Sequence, residues 1–525
     1  MNKMDDHPAR PESMMQRKLT MLTHNEKRNR FALLALSVFV FTMMAYGYRY
    51  LSTAFCGDAA LISQQGEELY QVSLGRFLQP VYWQVRGHIV APFLVGLFST
   101  AFNVLSCWLI SRILQIRRTL SLVLLSGLVS VNEVFTVSNI TYLPWTDVYA
   151  LTLLLMCAGV YCFFRFRFGF LASTLLFTAG LALYQSYLSA ASTLFILAFL
   201  VRLLSGTKPR EIWMKGILAV GALAASLFLY KFALAAVLDL MHIEASWEYN
   251  GVARVNDLTP EKVLSLLPSA YAMPLIFHFS PGGRQVIYSH YALIPRPVNW
   301  LLLVLCAVLL LRRLRKMKPG GILTAGFLIL VLPFSMNFIM IIASGTVNGL
   351  MIYAYFLPYL FPLLLWDHCE SPRMLTLSAV SLPALCLVIL INVWCANTLT
   401  LKRDLEFQST LSIMSRVLER AEDLEGYVPG ETPVLIDGIL NATRMTMERK
   451  GYETIRQMQG AWYTVSAAYE SAMNWYLMHI LGERMNLVPY RQRQKVLDTL
   501  DISSLEAYPS ENCVRIIDGY LVLKI

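Results

Sequence analysis

Charge is what this chain has least of. Only 15% of its 525 residues are Asp, Glu, Lys or Arg, against 56% hydrophobic, and the mean hydropathy is +0.52. A water-soluble chain of this length needs a far more polar surface, so that class is excluded. There is no P-loop, no dinucleotide-binding glycine pattern, no His/Cys cluster of metal-ligand type and no internal repeat. The familiar sequence grounds for a nucleotide fold, a zinc centre or a solenoid are therefore missing. The cysteines are scattered. Cys107, Cys157, Cys162, Cys306 and Cys386 lie in apolar runs, where a thiol acts as a small filler. Cys56, Cys395 and Cys513 are left as candidates for an outer face, where a disulfide is open to them but not indicated by spacing.

What the chain does have is a series of apolar runs of about 18–25 residues, enough to cross roughly 30 Å of hydrocarbon as helix. Eleven spans are expected, near 31–51, 89–111, 119–135, 144–164, 168–184, 186–204, 214–238, 298–311, 321–343, 349–366 and 374–397. The net charge of +10 follows this pattern and does not point to nucleic acid. Lys18, Lys27, Arg28 and Arg30, then Arg112, Arg117 and Arg118, then Arg165 and Arg167 fall in alternate connecting segments. So do Arg202, Lys208, Arg210 and Lys215, and the cluster Arg312, Arg313, Arg315, Lys316 and Lys318. The positive-inside rule then puts the N-terminus in the cytoplasm and, after eleven spans, the C-terminal segment outside. No small-residue cleavage site follows the first apolar run, which reads as a retained anchor.

The expected architecture is an all-α polytopic membrane protein with a small C-terminal α/β extracytoplasmic domain. Residues 1–30 read as a disordered cytoplasmic tail, 31–397 as the membrane domain with outer loops at 52–88 and 239–297, and 398–525 as the outer domain. The stretch near 260–279 is apolar but reads as too short and Pro-interrupted to span, hence interfacial or re-entrant. In the tail, 401–424 and 460–482 read as helices and 433–438 as a buried strand. Residues 513–525 read as two strands joined by Asp518-Gly519, a hairpin signal.

The richest stretch chemically is the loop from Cys56 to His88. Asp58 follows the first span and Gly57, placed to accept a proton as a general base or simply to N-cap the next helix. Glu67 and Glu68 lie nearly three turns further on; at least one should face water, and either is a second carboxylate for catalysis. Arg76, Arg86 and His88 suit phosphate contacts, since guanidinium pairs bidentately with phosphate oxygens. The plainer alternative is that they bridge to Glu67 or Glu68, or reach lipid headgroups. Glu133 and Asp147 flank an outer loop without Lys or Arg, Tyr184-Gln185-Ser186-Tyr187 forms an outer hinge, and Lys231 and Asn337 sit within spans. Each is either a helix–helix hydrogen-bonding residue or part of a polar ring at the outer half of the bundle, with Asp147, Tyr184 and Gln185 as substrate contacts.

Three stretches carry a family resemblance. They are the acidic residue after the first span with GRFLQPVYW downstream, LALYQSYLSAAS at 181–192, and NFIMIIAS…MIYAYFLPYLFPLLL within 337–365. In these the chain resembles the Gtr-type (type II) O-antigen glucosyltransferases of the GT-C superfamily. That resemblance implies a GT-C-like bundle in a bacterial cytoplasmic (inner) membrane, moving glucose from undecaprenyl-phosphate glucose to a lipid-linked or growing surface polysaccharide outside. It implies Asp58 as base, Arg76 as phosphate contact, and a separate donor synthase and flippase as partners. This chain has one Asp, in Gly57-Asp58, where an acidic pair is frequent, which leaves open whether Asp58 acts alone or with Glu67 or Glu68. A single base suits inverting displacement, whereas double displacement needs two carboxylates about 5–5.5 Å apart. No DxD-like outer motif occurs, and neither a metal nor another cofactor is expected. An O-antigen polymerase or ligase, or a polysaccharide or lipid flippase, is the rival reading; a transporter should show the pseudo-repeats this chain lacks.

Overall fold

The computed structural model describes residues 14–54, 67–88, 90–246, 259–280, 296–345, 347–369, 372–438 and 480–524. Asp58, Cys56 and the 460–479 part of the expected tail helix lie outside them. The helices are α1 (Met14–Leu51), α2 (Glu67–Ser73), α3 (Leu78–Arg86), α4 (Pro92–Ile113), α5 (Thr119–Ser130), α6 (Glu133–Thr141) and α7 (Thr146–Arg165). Next come α8 (Gly169–Leu183), α9 (Leu188–Leu204), α10 (Pro209–Met241), α11 (Pro260–Phe279), α12 (Arg296–Leu314) and α13 (Pro319–Asn337). The last are α14 (Ile339–Ile342), α15 (Leu360–Asp367), α16 (Pro372–Ala379), α17 (Ser381–Glu422) and α18 (Tyr490–Leu497). Helix α1 starts at Met14, inside the stretch expected to be a disordered tail.

Among the described residues, nine helices are long and apolar enough to cross a membrane. The chain is a multi-pass membrane protein. In lipid every backbone N–H and C=O must find a partner within the protein, which is why such runs coil. Other apolar runs are irregular. Helices α5 and α6 form one broken run bent by 45°, where Asn132 caps the second piece by accepting from the Phe135 N–H at 3.2 Å. The run expected at 168–184 is the short α8, and that at 349–366 is a 3-10 segment, Tyr353–Tyr359, leading into α15.

Contacts distinguish the two ends of the bundle. At the basic end, the backbone N–H groups of Arg117 and Arg118 donate to the Asp367 carboxylate at 2.7 and 2.8 Å. There too Arg313 donates to the His368 carbonyl, Arg30 to that of Ile116 and Arg202 to that of Ile113. These side chains satisfy carbonyls that helix ends leave unpaired.

Helix α11 corrects the expectation of a too-short segment near 260–279. It is unbroken, capped by Thr259, and its 20 residues have the length of a span despite Pro268 and Pro274. Pro274 has no N–H to give the Ala270 carbonyl, and Asn337 Nδ2 donates to that carbonyl instead, at 3.2 Å. Asn337 closes α13, about 27 Å from the basic turn that opens it at 1.5 Å per residue. At the other end of α11, the His278 ring meets the Tyr355 carbonyl at 3.0 Å and its carbonyl accepts from Asn299 in the first turn of α12. These contacts lie at the end of the bundle remote from the basic one.

Helix α17 runs on from the membrane domain into the C-terminal domain. Its Ile413, Met414, Val417, Leu418 and Ala421 pack against a four-stranded sheet of β1 (Pro433–Asp437), β2 (Asn486–Leu487), β3 (Val514–Ile517) and β4 (Tyr520–Lys524). The order is β2-β1-β4-β3, with β1 parallel to both neighbours and β3–β4 an antiparallel hairpin. Asp518 and Gly519 take φ of 48° and 80°, as the expected hairpin turn requires. The other sheet face is covered by Val488, Leu497 and Leu505. Cys395 and Cys513 are buried in separate clusters, one beside Ile140 and Leu399, the other under this sheet.

Candidate active site at the end remote from the basic rim

The loop after the first span is built, in its described part, as two short helices turning at Gly75. Gly75 has φ +81°, and a β-carbon there would collide with the Tyr230 hydroxyl. That hydroxyl donates to the Gly75 carbonyl at 2.8 Å, while Gln185 Nε2 donates to the Leu74 carbonyl at 3.0 Å and to the Tyr230 oxygen at 2.9 Å. Gln79 Nε2 donates to the Leu183 carbonyl at 2.7 Å. Three polar contacts thus clamp the arch 67–88 onto the hinge after α8 and onto α10, and the Gln185–Tyr230 bond ties those two together. Gln185, expected as a substrate contact, is engaged in this clamp.

The two glutamates separate. Glu67 is buried and accepts from Gln71 Nε2 at 2.7 Å; Gln71 Oε1 in turn accepts from Arg76 Nη1 at 2.9 Å. The Arg76 guanidinium lies 5.0 Å from the centre of the Tyr184 ring, a cation–π contact. Glu68 is exposed and pairs with His88 Nδ1 at 3.1 Å. His88 therefore has the carboxylate partner that the plainer reading gave it, and Glu68 is the glutamate that faces water.

Arg86 and Asp147 meet each other. Arg86 Nη1 donates to Asp147 Oδ1 at 2.9 Å, to Oδ2 at 3.1 Å and to the Pro144 carbonyl at 2.7 Å. Tyr82 adds an O–H donor to Oδ2 at 2.8 Å, and the Val148 N–H bonds Oδ1 at 3.0 Å. Both charged side chains are closed from solvent. Arg86 Nε and Nη2 have no partner among the described residues. Burial, with the Asp147 charge beside it, pushes the Tyr82 phenol far above its ordinary value, so it stays a donor.

Beneath the arch runs a row of tyrosines. Tyr149 lies 4.7 Å from Tyr184 and 6.4 Å from Tyr187, which stacks on Tyr353 at 5.2 Å. Glu133 is buried at the start of α6 and has a partner. Asn337 is a helix–helix contact, as its plainer reading had it. Lys231 departs from both of its readings: it is exposed on the outside of α10, among lipid-facing positions.

Several residues escaped sequence reading. Tyr82 and Tyr230 look like ordinary aromatics until their hydroxyls are placed. Lys402, Arg403 and Asp404 follow the last apolar run, yet all three are buried, and Asp404 accepts from Tyr48 and Ser52 at the end of α1. The available signal was three consecutive charged residues after an apolar run. Among the described residues, no group of three His, Cys, Asp or Glu is arranged to hold a metal ion.

The arch from Glu67, the hinge at Tyr184 and the Tyr353–Tyr359 segment all lie within residues 58–363, which match the model of a protein family described as Glucosyl transferase GtrII. No curated protein and no solved structure matches the chain. The matched region is more than half of the chain, begins at Asp58 and ends within α15. The chain belongs to the glucosyl transferase GtrII family and is a membrane glycosyltransferase.

Proposed function

We propose that this enzyme transfers glucose from undecaprenyl-phosphate glucose to O-antigen or another surface polysaccharide, on the periplasmic side of the bacterial inner membrane. The supporting observation is the clamped arch 67–88, which gathers Glu67, Arg76 and Tyr184 at the end of the bundle opposite the basic rim. By the positive-inside rule the rim is cytoplasmic, so the arch and the C-terminal domain face the periplasm. A lipid-carried donor accounts for chemistry at this depth. Its phosphate is already a leaving group, so no nucleotide fold is needed.

In this reading Asp58 takes the proton of the acceptor hydroxyl, and that oxygen attacks the anomeric carbon. The bond from that carbon to the phosphate oxygen breaks, and undecaprenyl phosphate departs with inversion. Arg76, held over Tyr184, contacts the phosphate, and His88 and Glu68 line the outer edge. Glu67 acts through Gln71 on Arg76, and Gln185 holds the arch. Arg86 and Asp147 fix α3 against α7. A donor synthase and a flippase supply the lipid-linked sugar.

The test is reconstitution of the purified chain in lipid nanodiscs with undecaprenyl-phosphate glucose and a lipid-linked oligosaccharide. A gain of one hexose in acceptor mass is expected. Acceptor chain extension by whole repeat units would favour a polymerase, and lipid movement without a covalent product would favour a flippase.

A further inference from the structure

Lys231 lies on a lipid-facing flank of α10. The helix leaves the basic rim at its N-cap, Lys208, and reaches Lys231 after 23 residues, about 34 Å at 1.5 Å per residue. That is roughly the thickness of the hydrocarbon, so the amine stands at its outer edge. Lys231 is exposed, and Phe228 and Phe232 beside it are 78% and 68% exposed. It has no partner among the described residues. An ammonium on a lipid-facing surface is costly unless it reaches a polar group, and at this depth the polar groups at hand are lipid phosphates.

Two observations bear on which lipid. The preceding residue, Tyr230, points into the protein: its hydroxyl donates to the Gly75 carbonyl at 2.8 Å and its ring stacks on Phe77 at 6.0 Å. Arg76 lies between those two residues, so the amine is one residue from the clamp that sets the proposed phosphate contact. The second observation is a stripe. Trp213, Val220, Ala224 and Lys231 recur at spacings of 7, 4 and 7, which puts them on one side of a helix with 3.6 residues per turn, and all four are exposed. At the basic end of the stripe the Trp213 ring lies 4.6 Å from Phe327 of α13, and its N–H donates to Thr324 at 3.1 Å. Leu330, about one turn further along α13, is exposed. From Trp213 to Lys231 the stripe is about 27 Å long. The acyl chain of one leaflet covers only about half of the roughly 30 Å core, whereas a polyprenyl chain is long enough for all of it.

We propose that Lys231 takes the phosphate of the lipid-linked donor as it arrives from the membrane, the prenyl chain lying along the α10 stripe beside α13, before the phosphate passes to Arg76. This rests on the donor class proposed above and adds an entry point on the outside of the bundle.

The test uses the full-length protein in phosphatidylcholine nanodiscs. With undecaprenyl-phosphate glucose as the varied substrate, Lys231→Gln should raise KM about tenfold and leave kcat unchanged, and Lys231→Arg should keep the wild-type KM. A photoreactive undecaprenyl phosphate, its diazirine on the first isoprene unit, should label the 224–235 region of wild type, which needs no variant to fold. Unlabelled undecaprenyl phosphate should suppress that labelling, and an equal amount of phosphatidylglycerol should not. A wild-type KM in Lys231→Gln, labelling confined to other helices, or equal suppression by phosphatidylglycerol would overturn the entry point and leave the donor class intact. A wild type that neither turns over undecaprenyl-phosphate glucose nor binds undecaprenyl phosphate would overturn both.

Discussion

Arg86 and Asp147 face each other across the junction of α3 and α7, 2.9 Å apart and closed from solvent, with Tyr82 completing the carboxylate's shell. A buried pair of this kind is poor evidence of net stability, but removing one partner leaves an uncompensated charge.

Asp147→Leu or Arg86→Met should therefore destabilise the protein by about 3–5 kcal/mol, while the double variant Arg86→Met/Asp147→Leu should cost less than the sum. Thermal unfolding in detergent, followed by size-exclusion chromatography, reads this. Additive losses would mean that the two residues act separately.

The turn at Gly75 makes a sharper demand. Gly75→Ala combines a positive φ with a collision against the Tyr230 hydroxyl and should cost about 1–3 kcal/mol and most of the transfer activity. Tyr230→Phe removes the colliding oxygen, so the double variant should recover part of the stability. Recovery is the outcome to look for in the same unfolding assay.

Arg76 separates stacking from charge. Arg76→Lys keeps the cation but loses the planar contact with Tyr184 and the fixed bond to Gln71. A drop in kcat/KM of about 10–100-fold is expected, larger than that for Gln71→Leu. Steady-state kinetics with varied donor measures both.

At the basic end, burial lowers the His368 pKa from its ordinary value, against the opposing pull of the Leu114 carbonyl and Asp367. A histidine depressed in the folded state binds its proton more readily when unfolded. Its contribution is complete above the unfolded pKa near 6.5 and is lost as pH falls through the lower folded value. The melting temperature should decline from pH 7 toward pH 5, and His368→Asn should flatten that decline.

The membrane class, the positions of most spans, β1 and the Asp518-Gly519 hairpin were legible because apolar length and turn chemistry are local properties. Helix α11 was harder: two prolines argue against a helix, yet an amide from α13 reaches the carbonyl that Pro274 leaves open. Side-chain pairing was not legible. Arg86 and Asp147 each read as a ligand contact because nothing local shows that α3 lies on α7. Asp404 drew no notice because its burial depends on Tyr48 and Ser52 at the end of α1, more than 300 residues earlier in the chain.

The proton acceptor is the centre of the account, and a pair of substitutions at Asp58 addresses it directly. With donor lipid and acceptor in nanodiscs, Asp58→Asn should lose transfer by a factor of at least about 100 while donor binding and thermal unfolding stay at wild-type values. Asp58→Glu should retain measurable turnover. Full activity in Asp58→Asn would show that the hydroxyl is deprotonated elsewhere, and the proposed mechanism would be wrong.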